Sequence, residues 1–131
     1  APRVPLDEYF RWFNAVDIAL DSTPYSGGTT TCDSLWMGVP VITVPGPRSV
    51  SRSAASILSA AGLAEWIAPT PEDYVRLAVE FARDRAVVAQ LRTSLRQRLR
   101  ESPMMDEPRF VRDVEAAYRR MWRTWCSSGE S

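Results

Sequence analysis

The sequence predicts an α/β fold in which short parallel strands are flanked by helices. Three observations carry that prediction. Two apolar, β-branched runs, Val16–Leu20 and Pro40–Val44, stand about one helix apart. Between them Gly27-Gly28-Thr29-Thr30-Thr31 reads as a turn running into residues that start helices. Gly38-Val39-Pro40 then stops that helix and opens the second run. Strand, glycine turn, helix, turn, strand is the unit from which open parallel sheets are built. Ligands collect at the carboxyl ends of such strands, where residues 27–33 fall.

In chain order, Leu6, Tyr9, Phe10 and Phe13 recur at three- and four-residue steps behind Asp7 and Glu8, which predicts a short amphipathic helix. Val16–Leu20, closed by Asp21 and the Thr23-Pro24 break, suits a parallel strand buried on both faces. Asp17 and Asp21 are read as strand-end carboxylates that bond local backbone rather than ligand. Cys32, inside the helix after the turn, is read as a buried small thiol. After the second strand, the loop 45–51 lies at the same sheet end. Ser53–Ala61 is a small-residue helix ended by Gly62, and Trp66–Ala68 reads as a last short strand.

Thr70-Pro71-Glu72-Asp73 combines a capping residue, a first-turn proline and two acids, a firm helix start. Tyr74, Leu77, Ala78, Phe81 and Ala82 form its apolar stripe. Val88, Leu91, Leu95 and Leu99 continue the stripe past a break near Asp84. Arg92, Arg96, Arg98 and Arg100 read as a solvated opposite face. Ser102-Pro103 ends that helix, and residues 108–125 form the last one, with Phe110, Val114, Ala117, Tyr118, Met121, Trp122 and Trp125 along one side. Residues 1–126 form one domain, and 127–131 are expected to be a disordered tail.

Composition narrows the function classes. At 131 residues with 45% hydrophobic and 24% charged content, the chain suits one globular domain. A formal net charge of zero offers no electrostatic capture of nucleic acid or an anionic membrane. No apolar run reaches the roughly 18 residues of a membrane helix. The start APRVPLDEYF lacks the pattern of a secretory leader, and its want of Met reads as a piece of a longer chain. Cys32 and Cys126 make no metal-ligand pattern, and a reducing, cytoplasmic setting is the default. All 16 basic residues are Arg, so no His serves as a base and no Lys neutralises a leaving diphosphate.

The candidate site follows from the turn. Free N–H groups and the positive dipole end of a helix beginning at Thr29 favour an anion. Asp33 lies one turn on, where a carboxylate can accept from sugar hydroxyls beside a bound phosphate. The plainer alternative is a helix cap and a tight turn with no ligand. The pattern is neither a dinucleotide fingerprint nor a P-loop. Arg48 and Arg52, on the loop 45–52, suit a phosphate or an acceptor peptide, or are simply solvated. Tyr9 is either a site residue or an edge aromatic.

The string from Tyr25 to Val41, YSGGTTTCDSLWMGVPV, resembles the signature of the O-GlcNAc transferase family, glycosyltransferase family 41. The resemblance continues at Ser51-Arg52, Gly62-Leu63, Ile67-Ala68, Ser102-Pro103 and the Tyr118, Met121, Trp122, Trp125 terminus. It implies a partial Rossmann-like sheet within the C-terminal lobe of a GT-B glycosyltransferase of bacterial type, with a tetratricopeptide array outside this chain. It further implies UDP-N-acetylglucosamine, or a similar UDP-sugar, as donor substrate, with no metal cofactor. A protein Ser or Thr hydroxyl would be the acceptor, with inversion at the sugar. Gly27, Gly28, Thr29, Thr30 and Thr31 would hold the diphosphate and Asp33 the ribose, with no catalytic residue inside the chain. The missing amino-terminal lobe would be a partner, covering some of the terminal aromatics. Two departures stand out: family members commonly carry His where Tyr9 and Gly28 stand. The alternative function is a nucleotide-sugar-binding or protein-interaction module without transferase activity.

Overall fold

The computed structural model describes residues 4–128. Helix α1 (Leu6–Trp12) leads through a 3-10 turn at Phe13–Ala15 into strand β1 (Ala19–Leu20). Helix α2 (Thr29–Trp36), strand β2 (Val41–Ile42) and helix α3 (Ser53–Ala60) follow. The second half is helical: α4 (Pro71–Arg83), α5 (Arg85–Arg100) and α6 (Glu107–Ser128). The described chain is therefore mostly helical, with one small parallel sheet. β1 pairs with β2 in parallel, Ala19 opposite Val41 and Leu20 opposite Ile42.

The helix starts obey local chemistry. Thr70 Oγ1 accepts from the Asp73 amide at 3.1 Å and Pro71 takes the first helical position, as the sequence predicts. Asp84 forms the break between α4 and α5 and caps α5 by accepting from the Val87 amide at 3.0 Å. The core lies between β2, α2, α3 and α5. Leu35, Val41, Leu58, Leu63, Trp66, Leu91, Leu95 and Leu99 are all buried there. Phe81 packs edge-on to Trp66 at 5.8 Å. Each fully buried leucine contributes roughly 1.5–3 kcal/mol.

Three expectations need correction. The run 16–20 is not a strand buried on both faces: only Ala19 and Leu20 pair, and Leu20 is 57% exposed. β1 has a partner on one edge only, and the Arg92 guanidinium holds the carbonyls of Phe13 and Val16, which keeps the preceding residues out of the ladder. Residues 66–68 do not form a strand. Ala64–Trp66 winds into a 3-10 turn, and Ile67 makes a single parallel bridge to Thr43. Nor is the tail wholly irregular, because α6 runs through Ser127 and Ser128; residues 129–131 lie outside the described residues.

The arginines of α5 form the expected solvated face, with Arg96, Arg98 and Arg100 exposed, and they also brace neighbouring segments. Arg96 donates to the Trp36 carbonyl at 2.8 Å, and both Arg96 and Arg100 sit about 5 Å from the Trp36 ring centre. Arg98 pairs with Glu65 at 3.3 Å. By contrast α6 packs mainly on the Pro103–Met105 turn at its start. Phe110, Val111, Tyr118, Met121, Trp122 and Trp125 all stand along it as an exposed apolar patch. No helix among the described residues is long and apolar enough to cross a membrane.

Gly38 joins α2 to the α5 brace. Its φ is +79°, and an added Cβ would stand 2.5 Å from the Arg92 carbonyl oxygen. Gly62 has a similar φ of +70° but open space around it. Gly62→Ala should therefore cost only the left-handed strain, about 1–2 kcal/mol. Gly38→Ala adds a backbone clash and should cost about 3 kcal/mol or more. Denaturant midpoints distinguish them; equal losses would show that the contact between Gly38 and α5 is not tight.

Candidate functional site

The turn between β1 and α2 is built on Asp21. Its carboxylate accepts from the Gly27 amide at 2.7 Å, from Ser26 Oγ at 2.7 Å and from Thr43 Oγ1 at 2.6 Å. Its own carbonyl accepts from the Tyr74 hydroxyl of α4 at 2.8 Å. Ser26 extends the frame: its Oγ accepts from the Ala54 amide at 2.9 Å, capping α3, and its amide donates to the Val50 carbonyl at 3.0 Å. Asp21 does bond nearby backbone, at Gly27, but its other carboxylate partners are side chains, and its partners come from three separate segments that its sequence neighbourhood does not announce.

This frame fixes where the turn points. A Cβ at Gly27 would lie 2.7 Å from Thr31 Oγ1 and 3.3 Å from Asp21 Oδ1, so the backbone there needs glycine's small size. Around Gly28 nothing lies within 4 Å of the same added atom. α2 begins with Gly28 as its cap residue, and no side chain caps it, contrary to the capping role expected of the threonines. The Thr31 and Cys32 amides are satisfied by the Gly28 carbonyl at 3.0 and 3.2 Å. Among the described residues the amides of Gly28, Thr29 and Thr30 donate to nothing. Three unengaged N–H groups at the positive end of a helix suit an anion.

Side chains divide along the same line. Thr29 and Thr30 are exposed, whereas Thr31 is buried under the turn. Asp33, half-buried on the next turn, accepts from the Tyr9 hydroxyl at 2.9 Å, so α1 brings Tyr9 to the same end of α2. Burial, then the hydrogen bond to Asp33, then the charge of Asp33 push the Tyr9 phenol above its ordinary value. Cys32 is half-buried, and its thiol is likewise pushed up, first by burial and then by the Asp33 charge.

A cleft of about 200 Å³ lies beside the turn, bounded by Leu20, Asp21, Gly27, Thr30, Thr31 and Ser34. Small-molecule sites usually span roughly 300–1,000 Å³, so the cleft has the size of part of a site. Arg48 does not share it. That residue lines an apolar hollow of about 360 Å³ with Pro24, Tyr25 and Val50. Arg52 lines a third groove with Ser49, Ser53 and Ser56. The structure thus gathers Gly27, Gly28, Thr29, Thr30, Asp33 and Tyr9 at one helix start and sets both arginines apart on the neighbouring loop. Among the described residues no group of three His, Cys, Asp or Glu is placed to hold a metal ion.

Residues 1–114 match the family described as Glycosyl transferase family 41. The chain belongs to glycosyltransferase family 41. It is 43% identical over 119 residues to the probable UDP-N-acetylglucosamine–peptide N-acetylglucosaminyltransferase SPINDLY of Eustoma exaltatum subsp. russellianum, a match covering 91% of this chain and 13% of that protein. To the Arabidopsis thaliana protein SEC, also named a probable UDP-N-acetylglucosamine–peptide N-acetylglucosaminyltransferase, it is 35% identical, covering 92% of this chain and 12% of the relative. A solved mutant of the Thermobaculum terrenum O-GlcNAc transferase superposes with a TM-score of 0.81 at 42% identity. That match covers 96% of this chain and 24% of the solved one. The family-41 chain described here thus spans about an eighth of the length of the curated relatives it matches.

Asp21→Ala should break the frame. It removes the acceptor for Thr43, which is fully buried, and for Ser26, which is 3% exposed. Hydrogen bonds to a charged acceptor and the stranding of buried donors set the cost at about 2–4 kcal/mol. Urea unfolding should show a lower midpoint at unchanged slope. A loss below about 0.5 kcal/mol, the range of ordinary surface changes, would contradict the assignment.

Proposed function

We propose that this family-41 chain is the donor-holding part of an inverting protein O-glycosyltransferase. Its donor is a UDP-sugar, with UDP-N-acetylglucosamine the first choice because the relatives' names carry it. The acceptor is a Ser or Thr hydroxyl of a protein. One observation carries the reading: three unengaged amides at the start of α2, one turn from the Asp33 carboxylate, at the carboxyl end of β1.

The chemistry follows from those groups. The Gly28, Thr29 and Thr30 amides, with the Thr29 and Thr30 hydroxyls, hold the diphosphate. The N-terminal end of α2 stabilises the charge that grows on UDP as the sugar leaves. Asp33 accepts from the ribose hydroxyls. Donor binding on this account needs no metal. The chain has no His to act as a base and no Lys to neutralise the leaving diphosphate, and on this reading the proton acceptor for the attacking hydroxyl belongs to the rest of the protein. This piece alone turns nothing over.

The exposed aromatic side of α6 fits the same reading. Its occupant is the amino-terminal lobe of the full GT-B enzyme, which also closes the other half of the donor cleft. A module without transferase activity would keep the turn and the weak nucleotide affinity, and turnover by the full-length protein separates the two.

Isothermal titration of UDP into this chain tests the donor site. The folded wild type should bind with Kd between about 0.1 and 1 mM, since half of the cleft is built here. Asp33→Ala should weaken binding about tenfold, equivalent to one charge-assisted hydrogen bond. A folded wild type that fails to bind UDP at several times that concentration would sink the assignment.

A further inference from the structure

The hydrogen bond between Tyr9 and Asp33 ties α1 to α2 across 24 residues of sequence. Its direction is informative. The phenol donates to Asp33 Oδ2 at 2.9 Å, while Asp33 Oδ1 accepts from none of the described groups. A carboxylate offers about four acceptor positions on its two oxygens, so Tyr9 occupies one and leaves Oδ1 whole. The Tyr9 ring packs edge-on against two residues of its own segment, Phe10 at 5.2 Å and Phe13 at 5.3 Å. Asp33 stands on a helix whose far side is in the core through Leu35. The phenol thus engages one oxygen of a carboxylate on a core-anchored helix, and among the described residues the other oxygen stays unengaged.

We propose that Tyr9 is a positioning residue for the donor, fixing the Asp33 rotamer so that Oδ1 stands ready for the vicinal hydroxyls of the ribose. The proposal rests on the donor reading above and adds a role for Tyr9 that requires no contact between its hydroxyl and the ligand. An untethered aspartate on an exposed helix edge samples several rotamers, and the ligand must then select one of them. Tethering removes that ordering cost before binding. The effect is confined to ligands that use Oδ1.

The test compares wild type, Tyr9→Phe, Asp33→Ala and the double variant, each titrated with UDP and with 2′,3′-dideoxyuridine diphosphate. Tyr9→Phe deletes one oxygen and keeps the ring that packs on Phe10 and Phe13. It should raise the Kd for UDP about 3- to 10-fold and leave the dideoxy ligand unchanged. In the Asp33→Ala background it should have no further effect on UDP. If Asp33→Ala weakens UDP while Tyr9→Phe does not, the donor site stands and the positioning role falls. Equal losses for both ligands, or an additive loss in the double variant, would mean that Tyr9 meets the base or phosphate itself, which also overturns the proposal. If Asp33→Ala leaves UDP affinity unchanged, the donor reading fails and takes this inference with it.

Discussion

The Asp21 carboxylate is the interaction on which the arrangement depends. It sits where β1 ends and gathers the Gly27 amide, the Ser26 hydroxyl and the Thr43 hydroxyl of the strand beside it. Through Ser26 it reaches the start of α3, and through its backbone carbonyl it receives Tyr74 from α4. One residue, through its carboxylate and its backbone carbonyl, thereby ties together a strand end, a glycine turn and two helices. Bonds of this kind are shorter and stronger than neutral ones. The three amides left over at Gly28, Thr29 and Thr30 point where they do because Gly27 is pinned beneath them.

Helix α5 closes the core with Leu91, Leu95 and Leu99, and its arginines brace Trp36 and the segment before β1. Elsewhere Leu20 of β1, Thr29 and Thr30 of α2, and the aromatic stripe of α6 are each exposed. Rigid support beneath an unengaged surface is what a binding site requires, since its first contacts are then held before the ligand arrives.

Much of this was legible in the sequence because the signals are local. Thr70-Pro71 caps and starts α4, Asp84 separates α4 from α5, and Gly38 ends α2 with the positive φ that its position requires. The turn from Gly27 into a helix beginning at Thr29 is likewise local, although the sequence leaves open whether it holds an anion or is only a cap and tight turn. What the sequence concealed is non-local. Strand length depends on what lies on both edges of β1, and apolar residues at Val16–Leu20 look the same whether covered or not. The arginines of α5 stay exposed, but their contacts with the Trp36 ring cannot be read from their own neighbourhood in sequence. Tyr9 and Asp33 meet across 24 residues of sequence through one hydrogen bond, and nothing in either residue's neighbourhood announces it. The separation of Arg48 and Arg52 from the turn was equally hidden, since loop 45–52 touches the turn through Ser26 and Val50 while its two arginines line other surfaces.

The central claim is that the start of α2 holds a nucleotide diphosphate, and amide-resolved NMR during a UDP titration tests it most directly. The account predicts that the Gly28, Thr29 and Thr30 amide resonances move farthest and saturate together, with Asp33 following and the α5 arginine face unmoved. Saturable shifts centred on the hollow at Tyr25 and Val50, or on the aromatic side of α6, with those three amides unchanged, would contradict it.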